Sequence, residues 1–334
     1  MTDQIRQFVL NEIPSGTLTP EHFQLESAPM PVPGDGEVLV KPLFYSLDAA
    51  NRAWMQGATY RSALEGGMVM AGGSIAEVLE SNDPGFAVGE LVSGDIGWRE
   101  AAALPAKNLL KQPRMEPLSH LLSVYGVTGL TAYFGLLEVG QPKAGETVVV
   151  SAAAGAVGNT VGQIAKIKGC RVVGIAGSDE KCQWLTDELG FDAAVNYKDG
   201  PVYKSLKAAC PDGIDVYFDN VGGDIFEAVL FQMNMHGRIS CCGAVSAYDG
   251  TPPPHGPRGV PGMFVVNRLT VRGFIVMDFY DKKDEALAEM QGWVESGQLK
   301  VYEDIVDGFE NLPTALVDLL AGGNRGKRMV RADG

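Results

Sequence analysis

Residues 148–158 have the sequence Val-Val-Val-Ser-Ala-Ala-Ala-Gly-Ala-Val-Gly. The three valines predict a buried β-strand, and the small residues after them predict a tight turn. A helical pattern follows at residues 159–168, and an apolar run at residues 170–176 predicts a second strand. This βαβ order with glycines in its first turn is typical of dinucleotide binding, because free N–H groups and the dipole at the start of the helix favour a pyrophosphate.

The chain on either side of this unit predicts two kinds of structure. Residues 1–120 favour a compact antiparallel β-barrel, with strands expected at residues 37–46, 73–80 and 90–94. From residue 121 onward, short apolar strands alternate with helices, which predicts a doubly wound parallel sheet. Further strands are expected at residues 193–197, 214–219, 237–242, 269–276 and 327–330, and helices at residues 121–139, 178–189, 202–210, 223–235, 282–296 and 312–321.

Composition limits the classes of function. The 334 residues suffice for two domains with hydrophobic cores, and the formal charge of −14 argues against nucleic-acid or anionic-membrane partners. No apolar run is long enough to span a membrane, and the first residues lack the apolar core of a signal peptide, so a cytoplasmic location is expected. The five cysteines form no C-x-x-C pair, and we interpret them as mostly buried apolar residues.

The end of the second predicted strand distinguishes between NAD(H) and NADP(H). An Asp or Glu there would bind the ribose 2′-OH of NAD. Gly177 and Ser178 occupy this position instead, and Lys181 follows in the next helix. Space, a hydroxyl and a cation suit a 2′-phosphate, so NADP(H) is favoured, although a solvated surface lysine is the alternative for Lys181. Asp179 and Glu180 are interpreted as acids that suit the positive end of a helix.

Seven segments, in the same order along the chain, carry a resemblance to a known family. They are residues 43–52, 127–133, 152–158, 177–181, 218–223, 242–248 and 323–327. The chain resembles the medium-chain dehydrogenase/reductases. Within them it resembles the zinc-independent alkenal/one oxidoreductases, which include prostaglandin and leukotriene reductases, plant double-bond reductases and bacterial curcumin reductases. The resemblance covers nearly the whole chain.

The resemblance implies a domain organisation and a cofactor site. It implies a GroES-like β-barrel substrate domain over residues 1–120, a Rossmann NADP-binding domain over residues 121–298 and a return of residues 299–334 to the substrate domain. NADPH is expected in the cleft between the two domains. The residues expected at the cofactor are Gly155, Ala156, Val157, Gly158, Ser178, Lys181, Tyr197, Asn220, Cys242, Gly243, Ala244, Ser246, Tyr248, Phe274, Ile275, Val276 and Asn324.

Two segments depart from the patterns of the relatives. Residues 69–73, Val-Met-Ala-Gly-Gly, stand where zinc-dependent relatives carry Gly-His-Glu, and residues 1–120 contain no cysteine. Without thiolate and imidazole ligands no catalytic zinc is expected. The second departure follows Asp48, where Ala-Ala-Asn replaces the usual Pro-Tyr-Met of the family, in the segment that precedes Arg52.

The resemblance implies hydride addition to the β-carbon of an α,β-unsaturated aldehyde or ketone. This chemistry needs a hydrogen-bond donor at the carbonyl oxygen, where negative charge develops. Tyr248 is the candidate catalytic donor, because a neutral phenol with an ordinary pKa of about 10 can donate at neutral pH. Packing on the cofactor is the alternative. Tyr60 is a candidate substrate contact or else a surface aromatic, and the proline-rich residues 251–262 either shape the pocket or connect two elements.

Three functions stay open at this point. The first is an NADPH-dependent enone or 2-alkenal reductase, the second an NADPH-dependent quinone oxidoreductase, and the third a non-catalytic nucleotide-binding protein. Residues 177–181 and 219–223 fit both enzymes, whereas residues 242–248 favour the first. The expected partner is a small unsaturated carbonyl substrate, with no nucleic acid and no membrane. A homodimer is also expected, with the apolar residues 271–277 pairing as a sheet edge across a two-fold axis.

Overall fold

The computed structural model describes residues 3–250 and 256–332, which form two large sheets, a hairpin and the helices around them. The strands are β1 (Gln4–Leu10), β2 (Phe23–Pro29), β3 (Glu37–Ser46), β4 (Gly73–Ser81), β5 (Leu91–Asp95), β6 (Ala102–Pro105), β7 (Leu110–Gln112), β8 (Thr147–Val150), β9 (Arg171–Ala176), β10 (Ala193–Asn196), β11 (Ile214–Asp219), β12 (Met233–Cys241), β13 (Thr270–Gly273), β14 (Glu303–Asp307) and β15 (Lys327–Arg331). The helices are α1 (Ala50–Ala53), α2 (Val127–Phe134), α3 (Ala156–Ile167), α4 (Asp179–Asp187), α5 (Val202–Ala209), α6 (Gly223–Leu230), α7 (Gly262–Asn267), α8 (Lys283–Glu295) and α9 (Leu312–Leu320).

Six strands form the parallel sheet that the alternation of strands and helices predicts. Their order is β10-β9-β8-β11-β12-β13, and every neighbouring pair is parallel. The chain therefore builds outward from β8 on one side and from β11 on the other. In such sheets the strand order reverses between two central strands, and ligands bind beyond their carboxyl ends. The predicted glycine turn follows β8 and lies at this reversal.

The valines of β8 show why this strand is central. Val148 and Val150 pack into the hydrophobic core that includes Val161 and Ile164 of α3. Val149 packs into a separate core on the other face of the sheet, which includes Val229 of α6. All three valines are fully buried. Because successive side chains of a strand point to opposite faces, a continuous apolar run is what a strand between two helical layers requires.

The second large sheet combines the first third of the chain with its last strands. Its order is β14-β15-β3-β4-β5-β7, with β6 also paired to β3, and its pairs are antiparallel except β14 with β15. β15 pairs with β3, so that Val330 lies opposite Tyr45. The end of the chain therefore returns to this sheet. The predicted α/β fold with a separate second sheet is confirmed, while closure into a barrel and the boundaries at residues 120 and 298 stay predictions.

Three predicted elements differ from the observed ones. The helix expected over residues 121–139 begins only at Val127, because Gly126 directly before it has an extended backbone, with φ −94° and ψ −166°. It then widens into a π-type turn over Gly135–Gly140. The helix expected to reach residue 235 ends at Leu230, since the next strand already begins at Met233.

The strand expected over residues 269–276 covers only Thr270–Gly273. The chain leaves the sheet there because the Phe274 ring turns in against Gly135 and Phe218. Of the proline-rich stretch, residues 251–255 lie outside the described residues, and α7 begins at Gly262. In the described part of the chain no helix is long and apolar enough to cross a membrane. The cytoplasmic location stays a prediction.

Candidate active site

One large cavity is lined by residues of both sheets and has a volume of about 2020 Å³. It exceeds the roughly 300–1,000 Å³ that a drug-sized ligand needs, so it can hold a dinucleotide together with a second molecule. Every residue that the sequence assigns to the cofactor or the substrate lines this cavity except Ala244. The structure therefore brings together side chains from Tyr60 to Asn324. Ala244 contributes indirectly, through its backbone N–H group, which donates to the Tyr248 hydroxyl at 3.0 Å.

The glycine turn after β8 is held by backbone contacts. Ala152 has a φ of +47°, in the left-handed region, and the Gly155 N–H donates to its carbonyl at 2.9 Å. A Cβ atom on Gly158 would collide with the same carbonyl, so α3 packs this closely only with glycine there. The Gly326 N–H donates to the Ala154 carbonyl at 2.9 Å. The loop before β15 is thus hydrogen-bonded to the turn that lines the cavity.

A group of cations surrounds Lys181. Its ammonium donates to the Gly322 carbonyl at 2.6 Å. Burial lowers the pKa of Lys181, and the positive charges of Lys198 and Arg325 lower it further. Lys198 lines the cavity, and Arg325 forms an ion pair of 3.3 Å with the exposed Glu180. Such mutual repulsion among cations is relieved by an anion, which is what a 2′-phosphate would provide.

The end of β9 has the features that the NADP(H) interpretation requires. The Ser178 hydroxyl accepts the Lys181 N–H at 3.3 Å and so caps α4. Asp179 accepts a hydrogen bond from the Asn196 side chain at 2.8 Å and does not line the cavity. Gly177 leaves room for the Tyr197 ring, whose hydroxyl would lie 3.2 Å from a Cβ atom at that position. The Asp179 carboxylate is therefore engaged by Asn196 and does not line the cavity.

A buried polar network organises the ends of β8 and β11. The Asp219 carboxylate accepts hydrogen bonds from the Tyr217 hydroxyl at 2.7 Å and from the Gly222 N–H at 2.9 Å. Asn220 donates from its side chain to the Ser151 carbonyl at 2.8 Å and from its backbone to the Ser151 hydroxyl at 2.9 Å. Asn220 lines the cavity as predicted, with an amide group whose orientation is fixed by this network.

The thiols at the cavity are poor nucleophiles. Burial raises the pKa of Cys242 to about 12 and that of Cys241 to about 11, and the charge of Asp219 adds to both shifts. The reactive form of cysteine is the thiolate, which such thiols do not populate near neutral pH. Cys242 lines the cavity as an apolar wall, in agreement with the interpretation from the sequence.

Tyr248 lines the cavity, and among the described residues none accepts a hydrogen bond from its hydroxyl group. Its oxygen already accepts the Ala244 N–H at 3.0 Å. Burial raises the pKa of Tyr248, and the bond from Ala244 offsets part of that rise. The phenol is therefore neutral at neutral pH. Accepting one hydrogen bond polarises the O–H group and strengthens it as a donor.

Tyr60 lines the same cavity from the side of the second sheet. Its oxygen accepts a hydrogen bond from the indole N–H of Trp54 at 3.1 Å, and the two rings meet edge to face at 6.4 Å. The Arg61 guanidinium lies over the same indole at 4.5 Å. Tyr60 is 53% exposed, yet its ring is held by these contacts. Within residues 3–250 and 256–332, neither tyrosine hydroxyl donates its proton to another residue, so both can donate into the cavity.

The segment that replaces Gly-His-Glu is closely packed. Met70 is fully buried, and a Cβ atom on Gly72 would lie 3.0 Å from the indole nitrogen of Trp98. The Gly72 N–H donates to the Asp95 carboxylate at 2.9 Å. A bulky imidazole therefore has no space at Gly72. Among residues 3–250 and 256–332, no three His, Cys, Asp or Glu side chains lie close enough to hold a metal ion together.

Lys198 in the cavity wall, and Asp219 and Arg325 close to it, carry no signal in the sequence. Lys198 follows the predicted Tyr197, and its position two helical elements after the glycine turn does not distinguish it from any surface lysine. Asp219 could be recognised as the end of a strand but not as the acceptor of a buried network. Arg325 neighbours the predicted Asn324, and only the approach of the last loop to α4 brings it near Lys181.

Comparisons with known proteins agree with this geometry. A family model described as the N-terminal domain of oxidoreductase matches residues 6–112, and one described as zinc-binding dehydrogenase matches residues 156–292. The chain is 42% identical to the NADPH-dependent curcumin reductase of Escherichia coli, over 98% of this chain and 97% of the relative. It is 43% identical to prostaglandin reductase 1 of Mus musculus, over 98% and 99%.

A solved structure matches equally well. The crystal structure of CurA from Vibrio vulnificus in complex with NADPH is 40% identical, with a TM-score of 0.93 over 98% of this chain and 99% of that one. The two-sheet fold with its glycine turn defines the class of the medium-chain dehydrogenase/reductases. Within that class the chain belongs to the NADP-dependent alkenal/one oxidoreductases, which confirms the resemblance stated from its sequence motifs.

Proposed function

We propose that this protein is an NADPH-dependent reductase of the carbon–carbon double bond of α,β-unsaturated aldehydes and ketones. The observation that carries the proposal is one cavity lined by the cations Lys181 and Lys198 and by the neutral Tyr248 phenol. Lys181 follows β9 and Tyr248 follows β12, which are three strand positions apart. That spacing corresponds to about 14 Å, a span that suits a dinucleotide lying across the strand ends.

Residues of this chain fit the parts of NADPH in turn. The glycine turn at Gly155 and the start of α3 would hold the pyrophosphate. Lys181, Lys198 and Arg325 would hold the 2′-phosphate through charge-assisted hydrogen bonds. Asn220 and the segment after β12 would line the nicotinamide. When bound there, NADPH supplies a hydride to the β-carbon of the unsaturated carbonyl compound.

The contribution of Tyr248 is a hydrogen bond to the carbonyl oxygen of the substrate. Negative charge develops on this oxygen as the β-carbon accepts the hydride, and a donor already in place stabilises that charge. The α-carbon then takes a proton, so the product is the saturated carbonyl compound. Tyr60 would contact the same substrate from the opposite sheet, since its hydroxyl proton is also free.

The proposed assembly is a homodimer through β13. This strand is at the edge of the six-stranded sheet as the described residues define it. The preceding helix α7 exposes Val265 and Val266. A second copy would pair with the strand edge and cover the two valines. Light scattering of the purified protein tests this: we expect twice the chain mass, and a monomer at micromolar concentration would exclude the assembly.

A turnover assay tests the proposed function. The purified protein is incubated with NADPH and either a 2-alkenal, a cyclic enone or a quinone, and the products are identified by mass spectrometry. We expect NADPH oxidation matched by a product two mass units heavier (~2 hydrogens added) with an intact carbonyl group. Turnover of quinones alone would favour the quinone oxidoreductase, and no turnover of any compound would favour the non-catalytic alternative.

A further inference from the structure

Two side chains from the segment that begins at α1 contact the loop that carries Tyr248. The Gln56 side-chain amide donates to the Ala247 carbonyl at 3.0 Å and to the Tyr248 carbonyl at 2.8 Å. The Arg52 guanidinium forms an ion pair of 2.9 Å with the next residue, Asp249. Arg52 lies in α1, and Gln56 follows three residues after the end of that helix. The loop is thus held on both sides of Tyr248.

The Arg52–Asp249 pair joins a buried guanidinium to a partly buried carboxylate and has further partners. The Arg52 side chain is only 2% exposed, and it also donates to the Gly16 carbonyl at 2.8 Å. The Asp249 carboxylate accepts a second bond, from the Leu18 N–H, at 2.8 Å. Charge-assisted hydrogen bonds that involve a buried guanidinium have defined directions and lengths. This pair therefore fixes where the loop lies relative to the segment after β1.

These contacts act between elements that come from different sheets. Tyr248 follows β12 of the parallel sheet, whereas Arg52 and Gln56 follow β3 of the second sheet. The local bond from Ala244 orients the Tyr248 ring within its own loop, but it does not relate that loop to the second sheet. Tyr60, the candidate substrate contact, comes four residues after Gln56. The segment of residues 52–60 therefore contains Tyr60 and also contacts the loop that carries Tyr248.

We propose that Arg52, Gln56 and Asp249 are positioning residues that hold Tyr248 at a set distance from the substrate. This inference rests on the proposed function, because it acts through the Tyr248 hydrogen bond. Arg52 and Gln56 do not line the cavity, and Asp249, which does line it, is assigned its role through the bond to Arg52. Small misplacements of a catalytic group lower rates by factors up to about 10². Loss of a positioning residue should therefore lower kcat while leaving NADPH binding intact.

The test compares Gln56→Ala and Asp249→Asn with a matched variant elsewhere. Glu146→Gln removes the charge of a comparable ion pair, with Arg238, whose residues do not line the cavity. We expect kcat for an enone to fall about tenfold in Gln56→Ala and Asp249→Asn, with the Kd for NADPH from fluorescence titration within about twofold of the parent. Glu146→Gln should keep the parent kcat. Gln56 is exposed, so its variant is expected to fold even where Asp249→Asn does not.

Combination with Tyr248→Phe separates this inference from the proposed function. If the two residues act through the phenol, Gln56→Ala and Asp249→Asn should change kcat by less than about twofold in the Tyr248→Phe background. An equal loss in both backgrounds would overturn the positioning role. A normal kcat for Gln56→Ala beside an impaired Tyr248→Phe would overturn it as well. A normal kcat for Tyr248→Phe itself would instead contradict the role of Tyr248 in the proposed function.

Discussion

The cofactor side and the substrate side of the cavity are built in different ways. Residues 147–181 supply the glycine turn and Lys181 of the cofactor side as one continuous piece of chain, from β8 through the turn and α3 to the start of α4. The substrate side combines Tyr60 with Tyr248, which lie almost two hundred residues apart in the sequence. The first is held mainly by backbone contacts within a βαβ unit. The second depends on side chains such as Arg52 and Gln56 that join two sheets.

This difference predicts how each side responds to substitution. Changes on the cofactor side should alter NADPH binding and, where backbone contacts are involved, stability. Changes on the substrate side should alter kcat with little effect on NADPH binding. A substrate-side variant that also weakened NADPH binding would show that the two sides are coupled more strongly than their contacts indicate.

The largest effect is expected for Gly158→Ala. The new Cβ atom would collide with the Ala152 carbonyl, so α3 must move away from the turn. We expect destabilisation of about 1–3 kcal/mol and a loss of NADPH affinity of about a hundredfold or more. Gly292→Ala is the matched control, because it also lies in a helix but has no atom within 4 Å of the added Cβ. Thermal melting and fluorescence titration give both quantities. An unchanged melting temperature for Gly158→Ala would contradict the close packing, and an unchanged Kd would contradict pyrophosphate binding at this turn.

Tyr248→Phe comes next and tests the substrate side. Removing a donor to a developing oxyanion lowers kcat by about 10²–10³-fold. The Kd for NADPH should stay close to that of the parent protein, since the phenyl ring is kept. Tyr203→Phe, on α5 and outside the cavity lining, is the control for loss of a tyrosine hydroxyl. Steady-state kinetics with a 2-alkenal measures the change, and a kcat equal to that of Tyr203→Phe would leave Tyr248 with a packing role.

A smaller effect is expected for Lys181→Ala. Loss of one cation next to the 2′-phosphate should raise the KM for NADPH about tenfold, as for a charge-assisted bond of roughly 1.5 kcal/mol. The KM for NADH should hardly change, because NADH has no phosphate there. Lys204→Ala, on the exposed face of α5, removes a lysine away from the cavity. Equal changes in the KM for NADPH and the KM for NADH would show that Lys181 does not bind the 2′-phosphate.

The smallest effects concern pH. Burial raises the pKa of Tyr248, so its proton is lost only as pH rises through a value above the ordinary phenol. With saturating NADPH, kcat should therefore be level between about pH 7 and about pH 9. The pKa of Lys181 is lowered, so its charge is lost at a lower pH than that of an ordinary lysine. A KM for NADPH that rises with pH, beside a constant KM for NADH, would locate this titration in the 2′-phosphate site.

The parts of the site that lie in one continuous stretch of chain could be predicted from the sequence. The βαβ unit, the absence of an acid at Gly177 and Ser178, and the following Lys181 are all read from one stretch, because strand and helix periodicity and helix caps are encoded by near neighbours. Prediction from the sequence was less successful where elements turn or stop. The Phe274 ring ends β13 early by packing on Gly135, a contact across more than a hundred residues that no local pattern reveals.

The amino-acid sequence by itself determined the βαβ unit, the family and the preference for NADPH, since these depend on contiguous residues and on motifs in a set order. The tertiary structure alone decided that Lys198 and Arg325 join Lys181 and that Arg52 reaches Asp249. The physical reason is that ion pairs and hydrogen bonds between distant side chains form only after the sheets have packed. Until then nothing in the order of the residues distinguishes Arg52 from an arginine on the surface.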